Sequence, residues 1–275
     1  MNYIIDKEWL LKNLKDPHVR IVDCSFSLAD PKGGRQEYDK NHIPGAVYFD
    51  LEQDLSGEIG NHGGRHPLPN IEEFINKLEK AGIDENTKVI AYDQGEGAFA
   101  ARFWWMLKYL GHEKVYVLDG GFKGWKEENY PVSSELPTFN KASFKSNINH
   151  DLLASMEEVR AVADGQVSNT ILIDSREERR YLGLEEPIDK KAGRIPGALN
   201  KPWFEGLNAG YYKQAQVQKQ RFADINPENE IIVYCGSGVT AAPNFLALKT
   251  AGFEKVKLYL GSFSDWISYQ ENEIE

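Results

Sequence analysis

Ile231-Ile232-Val233-Tyr234-Cys235-Gly236-Ser237-Gly238-Val239-Thr240 joins two kinds of sequence. Its first four residues are β-branched or aromatic and follow the polar stretch Asn226 to Glu230, which predicts a buried parallel strand. Beyond it, Ala241, Phe245, Leu246 and Leu248 recur at helical spacing. The turn between them opens on a cysteine and carries two glycines. A glycine-rich strand-to-helix turn points successive backbone N–H groups into a concavity, and the helix N-terminus adds partial positive charge. Such a cradle stabilises an anion, and here the sequence supplies a thiolate. A lone cysteine at a strand end is ordinarily a small buried apolar residue. The two glycines flanking Ser237 mark Cys235 instead as a nucleophile.

Working outward, 275 residues give room for one large domain or two ordinary ones. Hydrophobic residues make up 41% and charged residues 27%, the balance of a soluble globular protein. A net charge of −10 argues against nucleic acid as a general partner, so an anionic substrate needs a local basic patch. Two cysteines far apart, Cys24 and Cys235, provide no disulfide framework and fit a reducing cytoplasm. Met1 to Glu8 lacks a basic segment followed by an apolar one, and no apolar run reaches the ~20 residues of a spanning helix. A cytoplasmic protein without a membrane partner is expected.

Read from the start, the chain alternates strand and helix signals twice. Val19 to Asp23 and Lys88 to Tyr92 read as strands, Asn70 caps a helix that ends at Gly82, and Phe99 to Leu110 reads as a helix. Thr170 to Asp174 repeats the first of these strands, again ending on aspartate. Ile43-Pro44-Gly45-Ala46 returns as Ile195-Pro196-Gly197-Ala198. Lys88 to Tyr92 returns as Glu230 to Tyr234, and Gly120 to Trp125 returns as Leu260 to Trp266. Matching blocks in the same order indicate a duplication. The expectation is an α/β fold of two tandem units, each a mainly parallel sheet flanked by helices. Their boundaries are set at 1–130 and 151–275, with 131–150 as a proline-containing linker. At the position of Cys235 the first copy has Asp93, so it cannot perform thiolate chemistry and is expected to line a cleft. Phe103-Trp104-Trp105 and Cys24 are expected in the core.

These residues together resemble the two-domain rhodanese family: Ile-Pro-Gly-Ala after the first strand of each copy, Gly-x-x-x-x-Trp near its end, and Cys-Gly-Ser-Gly-Val-Thr in the second copy alone. The resemblance spans essentially the whole chain. Within the family the loop is similar to that of 3-mercaptopyruvate sulfurtransferases, because thiosulfate-preferring members carry basic residues where this chain has Gly236 and Ser237. It implies that Cys235 becomes a persulfide in a loop formed with Gly236, Gly238, Val239 and Thr240. Arg180 would bind the anionic donor, and Ser237 would be linked to His66 and Glu52. A second family arginine after Arg180 is missing, which leaves that charge to Lys190 or Lys191. No metal or organic cofactor is implied.

The chemistry follows from the residue types. The loop N–H groups suit both a thiolate and the persulfide anion that replaces it. A planar guanidinium at Arg180 grips a carboxylate with two hydrogen bonds. The expected partners are a small anionic sulfur donor and an acceptor that is a thiol, cyanide or a reduced redox protein, with thiosulfate as the alternative donor. A cysteine phosphatase would need an arginine at position 241, where the chain has Ala241. A serine hydrolase needs Gly-x-Ser-x-Gly, which Cys235 to Val239 does not supply. A non-enzymatic persulfide carrier on the same fold would turn over every small donor slowly.

Overall fold

In a computed structural model covering residues 3–275, the elements run in chain order as β1 (Ile4–Ile5), α1 (Lys7–Asn13), β2 (Val19–Asp23), α2 (Gly33–Lys40), β3 (Ala46–Tyr48), α3 (Ile71–Lys80), β4 (Lys88–Tyr92), α4 (Ala98–Tyr109), β5 (Val115–Leu118) and α5 (Gly121–Glu127). They continue with α6 (Met156–Ala163), β6 (Thr170–Asp174), α7 (Glu178–Tyr181), β7 (Leu199–Asn200), β8 (Leu207–Asn208), β9 (Tyr211–Tyr212), α8 (Ala215–Arg221), β10 (Glu230–Tyr234), α9 (Ala241–Ala251), β11 (Val256–Leu258) and α10 (Ser262–Trp266). Met1 and Asn2, which begin the segment read as carrying no secretory signal, lie outside the described residues. No helix among those described is long and apolar enough to cross a membrane.

The first sheet has the order β1-β5-β4-β2-β3 and the second β11-β10-β6-β7, with every pairing parallel. The central pairs share one register: Asp23 lies opposite Tyr92 in the first sheet, and Asp174 lies opposite Tyr234 in the second. Each tyrosine hydroxyl accepts the N–H of the isoleucine in its Ile-Pro-Gly-Ala turn, Ile43 at 3.1 Å and Ile195 at 3.2 Å. Trp125 and Trp266 are both buried, each donating its indole N–H to a carbonyl, of Pro131 and Glu273 respectively. The duplication is thus preserved down to single hydrogen bonds. The copies differ where charge is handled. Asp174 is paired with Arg176 at 2.6 Å, whereas burial lifts the Asp23 carboxyl to about 6.

Local signals set the helix ends. The Asn70 side chain accepts the N–H groups of Glu72 and Glu73, and Ser155 and Glu158 form a reciprocal capping box. α4 is apolar almost all round and sinks into its unit, with Phe103, Trp104 and Trp105 buried. Cys24 is buried as well. Along α2 only Gly34 and Tyr38 are buried.

The chain divides into one unit of Met1–Gly57, Pro69–Asn149 and Ala209–Tyr212, and a second of Glu58–Leu68, His150–Asn208 and Lys213–Glu275. This differs from the sequence boundaries in two ways. Residues 131–149 are no free linker but a strap on the first unit. Ser133 and His42 exchange backbone hydrogen bonds, and Ala142 and Asn147 donate to the carbonyls of Glu79 and Leu110 at the ends of α3 and α4. Helix-end carbonyls need donors, and an aperiodic coil can supply them. Secondly, Glu58–Leu68 belongs with the second unit, and this decides how the site is built.

Candidate functional site

The second sheet delivers Cys235 at the carboxyl end of its central strand, where open parallel sheets place their ligands. The loop is clamped from the other side, because the carbonyls of Cys235 and Gly236 accept the N–H groups of Phe263 and Ser264, each at 2.9 Å. Gly238, at φ +77°, turns its N–H onto Cys235 Sγ at 3.1 Å. Gly236, Val239 and Thr240 complete the turn into α9. Sγ thus accepts the Gly238 N–H on a residue that is 1% exposed.

Sequence reasoning missed Ser262. It holds φ +56°, an uncommon conformation for a residue with a side chain, at the place where the first copy has Gly121 at φ +55°. Its Oγ accepts the Cys235 N–H at 3.1 Å and lies 3.9 Å from Sγ. The serine-for-glycine exchange between the copies was the available signal.

The first copy retains the cradle but fills it. Asp93 Oδ1 accepts the N–H groups of Gly95 and Gly97, and Oδ2 accepts those of Phe99 and Ala100, at 2.9 to 3.1 Å. The Asp93 side chain occupies the place that the Cys235 sulfur takes in the second copy, and it leaves no thiol there.

Loop 58–68 is sewn onto the second unit. Gly63 donates to Asp265 Oδ1 at 2.6 Å, Arg65 N–H to Ser264 Oγ at 3.1 Å, and the His62 ring stacks on Tyr269 at 4.0 Å. These anchors carry His66 into the site, where Nδ1 lies 2.9 Å from Ser237 Oγ and both residues are buried. Gly64 makes the approach possible, since at φ +79° a methyl there would overlap the Gly261 carbonyl oxygen. Gly64→Ala is expected to displace the loop and lower turnover about tenfold or more, the scale of effect that small misplacements of positioned groups produce. Steady-state kinetics with a thermal melt check this. Unchanged turnover in a folded variant would show that the loop's position is immaterial.

Around Gly236 the basic residues gather. Arg180 donates to Glu186 at 2.8 and 3.1 Å and to Asp189 Oδ2 at 2.9 Å. Arg65 pairs with Asp189 Oδ1. A Cβ at Gly236 would lie 3.0 Å from Arg65 Nη2 and 3.4 Å from Arg180 Nη2, so both guanidinium tips converge beside the cysteine. Burial lowers Arg65 from its ordinary range, with the Cys235 charge acting in the opposite direction. Arg176 is buried and structural: burial opposes its charge, but Asp174 and Glu186 more than compensate. The second cation beside Arg180 is therefore Arg65, and not Lys190 or Lys191, both of which are exposed. Arg65 escaped notice because it is distant from Arg180 in sequence. Glu52 belongs to the first unit, exposed in the turn after Asp50, with its backbone N–H on Asp50 Oδ1 at 2.8 Å. Of the three residues expected together, the second unit brings Ser237 and His66 within hydrogen-bond distance. No three His, Cys, Asp or Glu side chains gather as metal ligands among the described residues.

The Rhodanese-like domain family matches residues 6–128 and again 155–269. A probable 3-mercaptopyruvate sulfurtransferase from Pseudomonas aeruginosa is 39% identical over 271 residues, covering 96% of this chain and 95% of that protein. A thiosulfate sulfurtransferase from Rattus norvegicus is 33% identical over 277 residues, covering 96% and 91%. The crystal structure of SseA from Escherichia coli, titled a 3-mercaptopyruvate sulfotransferase, superposes with a TM-score of 0.85 at 32% identity, covering 96% of this chain and 100% of that one.

Proposed function

The chain belongs to the rhodanese family, and we propose that it is a sulfurtransferase that takes sulfur from 3-mercaptopyruvate through a persulfide on Cys235. The observation that carries this reading is Cys235 Sγ accepting the Gly238 N–H at 3.1 Å while Ser237 Oγ, two residues on, lies 2.9 Å from His66 Nδ1. In the first half-reaction the thiolate attacks the donor sulfur. The sulfur–carbon bond breaks, and its electron pair passes to carbon as a pyruvate enolate. The proton of the donor thiol is released and one proton returns to the methyl carbon, so thiolate and mercaptopyruvate become persulfide and pyruvate with charge and hydrogen conserved. The transferred sulfur rises to the sulfane level as that carbon is reduced, so the step needs no external oxidant. In the second half-reaction a thiolate or cyanide attacks the outer sulfur and the Cys235 thiolate leaves, which gives ping-pong kinetics. The covalent persulfide is the intermediate that links the two half-reactions.

The cradle stabilises the anion in both states, because thiolate and persulfide place charge near the same N–H groups. Arg180 supplies a fork for the donor carboxylate. Ser237, oriented by His66, supplies a proton route at the developing enolate. Glu52 as the acid behind His66 and a reduced redox protein as acceptor belong to the same proposal. Likeness to a thiosulfate sulfurtransferase at 33% keeps thiosulfate as the second donor. It would surrender its outer sulfur and leave as sulfite, which requires no proton.

Comparing kcat/KM for the two donors, with an intact mass after each, tests the reading. Mercaptopyruvate is expected to lead by about tenfold or more, a margin within reach of one specific transition-state interaction. A single added sulfur atom should appear on the protein. A lead for thiosulfate would overturn the donor assignment. Absence of the added sulfur with both donors would overturn the mechanism.

A further inference from the structure

Three guanidinium groups, of Arg65, Arg176 and Arg180, face three carboxylates, of Asp174, Glu186 and Asp189, within one cluster beside Cys235. The cluster is balanced, so an anionic donor arriving at it would meet no spare charge. A carboxylate must leave before another can bind. The structure indicates which one. Asp174 terminates β6 and is held by Arg176 through both oxygens. Glu186 is held by Arg176 and Arg180 and also accepts the N–H groups of Ile188 and Asp189. Through its carboxylate Asp189 bridges the tips of Arg65 and Arg180, its two side-chain partners among the described residues. It sits in irregular chain between the exposed residues Ile188 and Lys190, yet its side chain is only 1% exposed. Its Oδ2 would lie 3.5 Å from a Cβ at Gly236, one residue beyond the nucleophile.

We propose that Asp189 is a resident stand-in for the donor's carboxylate, bridging Arg65 and Arg180, and that the donor enters by exchanging with it. This rests on the sulfur-transfer reading and extends it. Arg65 becomes the second guanidinium of the donor clamp, and Asp189 sets the donor concentration at which the clamp opens. The exchange breaks two ion pairs and forms two of the same kind, so donor affinity reflects a competition between like groups. An α-keto carboxylate can replace the bridge geometrically, with one oxygen for each guanidinium. The buried bridge also keeps two like charges from facing each other in the resting enzyme.

Asp189→Asn removes the competitor at nearly constant shape. For mercaptopyruvate its KM is expected to fall about fivefold or more. Pyruvate, which has the same carboxylate but no transferable sulfur, should bind more tightly by a similar factor in calorimetry. Arg65→Gln should raise the mercaptopyruvate KM about tenfold or more, as expected when one partner of a charge-assisted pair is lost. An unchanged or raised KM in folded Asp189→Asn would overturn the proposal, because the carboxylate would then be a strut. Should that variant fail to fold, a wild-type KM in Arg65→Gln would overturn it equally. Intact mass of the wild type separates the two levels. No persulfide with either donor sinks the sulfur-transfer reading itself, whereas persulfide formation with no KM response sinks only the exchange.

Discussion

Cys235→Ser is expected to abolish sulfur transfer from both donors, with a loss on the order of 10⁴-fold or to the detection limit, while the fold persists. A hydroxyl in the same cradle can accept the Gly238 N–H that now reaches Sγ at 3.1 Å, so the loop retains its internal bond. It cannot hold a sulfane sulfur, because the oxygen analogue of a persulfide is not formed by displacement on a donor thiol. The second cysteine offers no bypass. Cys24 is buried at the end of β2, and its thiol is pushed far above its ordinary range, first by burial and then by the charges of Asp23 and Asp93. Donor kinetics and intact mass on the variant check this together. Persulfide appearing on Cys235→Ser would place the chemistry elsewhere in the chain and overturn the assignment.

What could be read in the sequence was whatever lies close along the chain. The strand, cysteine loop and helix from Ile231 to Leu248 are contiguous, and the structure forms them as β10, turn and α9. The duplication was legible because each copy repeats the same local signals. Its deeper consequence was not: Asp93 was read as a lost nucleophile, whereas it is a carboxylate that satisfies four N–H groups of its own loop. The clamp was half legible. Arg180 lies in a charged run that only a family likeness singled out. Arg65 and Asp189 meet because loop 58–68 packs on the second unit through Gly63, Gly64 and His62, and no periodicity reports such a placement. The same gap misdirected the missing charge to the lysines after Asp189, which are near in sequence but face solvent. Ser262 was obscured by its own backbone, since positive φ in a serine has no sequence signature beyond a glycine in the other copy.

Ser237→Ala should separate the two donors. Mercaptopyruvate leaves as an enolate that must gain a proton, and a hydroxyl fixed by His66 at 2.9 Å is placed to manage it. Thiosulfate leaves as sulfite, a stable anion, and asks nothing of that hydroxyl. The variant is therefore expected to lose roughly 10²–10⁴-fold in kcat for mercaptopyruvate, the usual worth of positioned acid–base catalysis. Its change with thiosulfate should stay within about threefold, since only interactions gained in the transition state alter kcat. The residue is small, and the bond to His66 is its side-chain tie within the buried loop, so the alanine variant should fold, and a thermal melt close to wild type checks that. A merely structural serine would depress both donors together, because it would act through the placement of Cys235. Equal losses would thus remove Ser237 and His66 from the proton route and leave them as packing for the cradle. A selective loss would tie the donor preference of this chain to one hydroxyl beside its persulfide.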